Sequence, residues 1–149
     1  MSNYLTDGRT ALLAALKADA DLQSLVKTWL EAGPGLRRRE HIEPAWCPAV
    51  GVRPGGVRRT AVANVETEVV QSIRVEVRTD GQDAGACEEL VELVLGCVRD
   101  ADATCLGLSA EGLVAVRARA VELQPLPNAR AARPLWRGTA EVQLTWRRT

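Results

Sequence analysis

Downstream of Val65 the chain changes its apolar period twice. Ile73, Val75 and Val77 alternate with Arg74, Glu76 and Arg78, and near the end Ala140, Val142, Leu144 and Trp146 alternate with Glu141, Gln143, Thr145 and Arg147. Alternation gives each segment one apolar and one charged face, as in a half-buried strand. Between them, Cys87, Leu90, Val91, Val94 and Val98 fall at helical offsets, with Glu88, Glu89 and Glu92 off that stripe. A chain that alternates, winds and alternates again has to lay a helix on an amphipathic sheet, which predicts an α+β fold.

The remaining segments extend the pattern. Residues 7–32 read as helix, because Leu12, Leu13, Leu16, Leu22, Leu25, Val26, Trp29 and Leu30 recur at three- and four-residue spacing. Asp19 or Asp21 is placed to cap a second helical piece, and Gly33-Pro34-Gly35 ends the run. A charged connector follows, containing Arg37, Arg38 and Arg39. Pro48–Val52 is a short strand candidate closed by Pro54-Gly55-Gly56, and residues 113–124 are another. The proline-bracketed stretch Pro125–Pro134 is long for a hairpin connection. With no internal repeat or linker composition, the expectation is a single α+β domain over residues 1–149. It comprises a mostly antiparallel four-stranded sheet with helices packed on one face, in the order α(α)-β-β-α-β-β.

Charge narrows the functional classes. The 149 residues carry 19 Lys plus Arg and 19 Asp plus Glu, which excludes a globally basic nucleic-acid binder. The balance conceals segregation: residues 1–64 and 113–149 are net basic, and residues 65–112 are net acidic. Opposite charges on different faces would suit head-to-tail contact between identical subunits, whereas folding that interleaves the segments would erase the asymmetry. The strongest local feature is Arg37, Arg38 and Arg39 together with Arg58 and Arg59, read as loop arginines facing solvent or an anionic partner. No aromatic residue stands among them to stack on bases.

Catalytic inventories fail. Cys47, Cys87, Cys97 and Cys105 lack the short C-x-x-C spacing of a zinc site and read as reduced thiols, so no metal is expected. Gly107-Leu108-Ser109-Ala110-Glu111-Gly112 misses the nucleophile-elbow spacing by one residue, and the single histidine, His41, precedes the serine. Arg53-Pro54-Gly55-Gly56-Val57-Arg58-Arg59-Thr60 lacks the lysine of a phosphate loop and reads as a β-turn with solvated arginines. No catalytic residue, cofactor or enzymatic activity is expected. No signal peptide is read at the N-terminus, and no apolar run approaches the roughly 18 residues of a membrane span. Leu93, Leu95 and Cys97 widen the apolar face of the 84–99 helix beyond one sheet contact, so a neighbouring subunit is expected to cover it.

The element order resembles the tail terminator and tail-completion proteins of long-tailed bacteriophages. It is carried by an amphipathic helix pair (Ala11–Leu30), Pro48-Ala49-Val50-Gly51-Val52, the strand Ser72–Thr79 and the helix Ala86–Arg99, then two closing strands ending in Glu141-Val142-Gln143-Leu144-Thr145-Trp146. The resemblance implies a non-enzymatic virion subunit that assembles as a homo-hexameric ring on the tail tube. Such a ring stops tube polymerisation and provides the surface joined to the head. Implied partners are the tail-tube protein and a head–tail connector protein, with DNA passing through the lumen without specific binding. Implied locations are the virion tail and, during assembly, the host cytoplasm, with no membrane association. The acidic Glu88, Glu89 and Glu92 are assigned to one contact patch and an arginine-rich segment to the other, with Leu126, Arg130 and Arg133 in the excursion facing a neighbour or the tube. The alternatives are another head–tail joining or tail-tube subunit, or a small-ligand-binding regulatory domain.

Overall fold

The computed structural model describes residues 4–30, 47–62, 65–81, 83–100, 113–126 and 135–147. Helix α1 (Tyr4–Ala18) stops one residue before Asp19, whose carboxylate accepts a 3.0 Å hydrogen bond from Leu22 N and caps α2 (Ala20–Leu25). The expected break between two helical pieces is therefore present. The helix does not reach residue 32. Val26 adopts extended backbone, and Thr28–Leu30 form β1, paired in parallel with Ala49–Gly51. Lys27 N and Thr28 N both donate to Pro48 O, so a sheet edge claims β-branched and aromatic residues whose spacing alone looked helical.

Strand β2 (Ala49–Val62) continues through Pro54-Gly55-Gly56, where a turn was expected. Two glycines let the strand take a register shift between Pro54 and Gly56, and Gly56 adopts φ +136°. Pro54 is tolerated because at that point β2 is the outermost described strand, so no described strand needs its missing N–H. Arg58 and Arg59 consequently lie on a strand and not in a loop. β2 forms a long antiparallel hairpin with β3 (Val65–Asp80). After a bend at Gly81, Asp83 accepts a 2.8 Å hydrogen bond from Gly85 N at the start of α3 (Gly85–Asp100). β4 (Leu113–Leu126) and β5 (Leu135–Arg147) complete a five-stranded sheet of order β1-β2-β3-β5-β4. The expected four strands are all there. The fifth, β1, was hidden in the helical reading. The long excursion also contracts, since Pro125 and Leu126 pair with Trp136 and Leu135 and only residues 127–134 lie beyond the described strands.

All three helices pack on one face of the sheet. There Val50 and Val52 of β2, Val69, Ile73, Val75 and Val77 of β3, and Ala140, Val142, Leu144 and Trp146 of β5 meet Leu12, Leu16, Leu22 and the α3 stripe. Every residue of the predicted stripe, Cys87, Leu90, Val91, Val94 and Val98, is buried. Leu95 is buried too, while Leu93 and Cys97 pack against the same core, with Cys97 Sγ 3.8 Å from Ala15 O. The wide apolar face of α3 is thus covered largely within the chain, with α1 taking the flank assigned to a neighbouring subunit.

Candidate subunit interface

Strand register decides which charges share a surface. Opposed residues of an antiparallel pair project to the same side, so Arg53 and Arg58 of β2 lie with Glu68, Arg74, Glu76, Arg78 and Asp80 of β3. Arg137, Glu141 and Arg147 of β5, and Arg117, Arg119 and Glu122 of β4, join the same face. Among the described residues this face carries no helix, and on it arginines outnumber carboxylates. Arg59, one residue beyond Arg58, faces the helix side opposite Val69.

The centre of this face is a dry ion-pair network. Glu76 is 3 % exposed; Arg78 donates to its Oε2 through Nε at 3.0 Å and approaches the same oxygen through Nη2 at 2.9 Å, a charge-assisted contact. Arg53 reaches the other Glu76 oxygen at 3.7 Å. Outward, Arg119 and Gln143 both donate to Glu141 Oε1, and Arg137 pairs with Glu122 at 2.8 Å and Arg147 with Glu68 at 3.4 Å. Arg53 Nε and Arg137 Nε are buried without a hydrogen-bond partner. Arg58, Arg74 and Arg117 form no ion pair with a described residue.

The acidic patch is on the other layer. Glu88, Glu89 and Glu92 are exposed on α3, which packs against β4, β5 and β3. At a turn of about 100° per residue, Glu88 lies about 180° and Glu92 about 140° around the helix from Cys97. Cys97 points to α1, so the two carboxylates sit on the flank away from α1. The basic segment of β2 and the acidic flank of α3 therefore stand towards opposite edges of the sheet. Near that second edge, β4 exposes Val121 and Leu123 at 42 % and 40 %, beside a register shift between Ala120 and Glu122.

A similar arrangement of elements occurs in a solved particle. A chain in the virion of a native gene transfer agent particle superposes with a TM-score of 0.63, over 97 % of this chain and 99 % of that one, at 17 % identity. The two chains share a fold. No protein-family model and no curated protein matches the sequence.

Of the contact residues drawn from the sequence, Arg58, Glu88, Glu89 and Glu92 are exposed on defined elements, and Arg59 is exposed on the helix side of β2. Leu126 ends β4, paired with Leu135. Arg37, Arg38, Arg39, Arg130 and Arg133 lie outside the described residues. Sequence reading missed Arg53 and Arg74 as members of the basic face. Their alternation with apolar residues was visible, but which strands would be neighbours was not. Among the described residues no group of His, Cys, Asp and Glu could hold a metal ion, and no helix is long and apolar enough to cross a membrane.

Proposed function

We propose that the chain is a non-enzymatic structural subunit of a virion, and within that class a tail terminator that caps the tail tube as a homo-hexameric ring. The observation that carries the reading is the shared fold with a chain of a virion particle, extending over nearly the full length of both. Charge layout supports it. A closed ring of identical subunits needs two different, complementary patches on each copy, and here a basic strand and an acidic helix flank stand towards opposite sheet edges. In this reading the ring ends tube growth and offers its free surface to a head–tail connector, with DNA passing through the lumen. Assembly takes place in the host cytoplasm and the finished subunit resides in the tail.

The test is to locate the subunit on assembled particles by labelling it with a bound antibody fragment. Label confined to the head-proximal end of the tail is expected. Label repeated along the tube would assign the chain to the tube wall, and absence from particles would remove the virion role.

A further inference from the structure

The bulge in β2 reorganises charge. Arg53 and Arg58 are an odd number of residues apart, so in a regular strand they would project from opposite faces. The shift between Pro54 and Gly56 brings both to the helix-free face, Arg53 across from Arg74 and Arg58 across from Val70. Between them on β2 stands Gly56, opposite Ser72, with nothing within 4 Å of where its Cβ would be. The outcome is a notch in the sheet surface, its arginine flanks roughly 13 Å apart along the strand.

Its charge is largely uncompensated. Arg58 and Arg74 have no ion-pair partner among the described residues, and Arg53 is held to Glu76 only at 3.7 Å. Guanidinium groups around a gap, short of acceptors, fit carboxylates through paired N–H···O bonds. Glu68, Glu76 and Glu141 on the same face would repel a polyanionic backbone, which favours discrete protein carboxylates over nucleic acid.

We propose that the notch receives Glu88 and Glu92 of α3 from a second copy of the chain, an assignment that rests on the ring reading and specifies its contact. The occupant follows from three features. Glu88 and Glu92 are exposed one helical turn apart, on one flank of α3. That flank faces away from α1, and both carboxylates are exposed on it. It also lies towards the opposite sheet edge from β2, as a head-to-tail contact between copies requires.

Charge reversal with rescue tests the pairing. The full chain is compared as wild type, Arg58→Glu, the double variant Glu88→Arg/Glu92→Arg, and the combination of all three. Assembly is followed by sedimentation across a concentration series and folding by circular dichroism. Arg58→Glu and the double reversal should each stay folded and weaken assembly at least about tenfold, as for close interfacial charge pairs, and the combination should recover most of the loss. A wild-type ring that Arg58→Glu leaves unchanged overturns the pairing and spares the ring. So does a folded combination that stays dissociated. If Arg58→Glu abolishes binding to duplex DNA while assembly is untouched, the notch serves phosphate and the pairing falls. A wild type that never forms a ring overturns both.

Discussion

Gly138 of β5 lies directly beneath Val91 of α3: a Cβ at residue 138 would collide with Val91 Cγ2 and stand 3.1 Å from Cys87 Sγ. The first turns of α3 can sit on the sheet this closely because β5 presents no side chain there. Gly138→Ala forces either the helix or the strand to move, and should cost about 1–3 kcal/mol, the usual range for overpacking a core. Urea denaturation checks this, with a lowered midpoint at unchanged slope as the expected result.

Glu76 and Arg78 predict a second effect. Replacing Glu76 with Ala leaves a buried guanidinium without its carboxylate, so unfolding free energy should fall by about 3 kcal/mol or more. Arg119→Ala should cost about 1 kcal/mol at most, since its partner Glu141 keeps Gln143 and Arg119 itself is largely in solvent. The two denaturation curves, compared directly, separate the dry centre of the network from its wet rim.

How much of this was legible beforehand follows from where the information resides. The α3 stripe and the alternation in β3 and β5 were readable because periodicity is local, and the buried set of α3 is the predicted one. Trp29 and Leu30 were misassigned because their three- and four-residue spacing satisfied a helix, while the pairing that makes them a strand is with Val50 and Gly51, far along the chain. Pro54-Gly55-Gly56 carried a turn signal, yet the same glycines equally allow a bulge, and only pairing with Ile73 and Ser72 decides between them. The basic face was illegible for a related reason. Arg53 comes opposite Arg74, and Arg137 opposite Arg78, through strand order, which no local pattern encodes.

Cysteine ionisation gives a third prediction. Burial, reinforced by nearby Asp80, pushes the Cys47 thiol up from 9.0 to about 11, and burial likewise raises Cys87 to about 11. Both are protonated at neutral pH, so native protein should resist alkylation at these positions while denatured protein reacts. The folded state binds more protons than the unfolded state between the unfolded value near 9 and the folded value near 11. Stability is therefore retained below about pH 9 and declines as pH rises through that window. Denaturation midpoints measured from pH 8 to 11 check the direction, and replacing both cysteines with Ala should flatten the decline.

Gly56 links the backbone to assembly. With φ +136° and open space around it, Gly56→Ala meets no steric obstacle and suffers only backbone strain, costing about 1–3 kcal/mol. If the strand relaxes by losing its bulge, Arg58 turns to the opposite face. The variant should therefore lose ring formation at temperatures where circular dichroism shows it fully folded.

The most direct test of the ring is the solution mass of the unmodified chain at low salt, measured across a concentration series and imaged by negative stain. The proposed homo-hexameric ring would have a mass of about 97 kDa, six copies of the 16.1 kDa subunit, and would dissociate as salt screens the contact. A monomer at every concentration, or an open filament in place of a closed ring, would contradict the account.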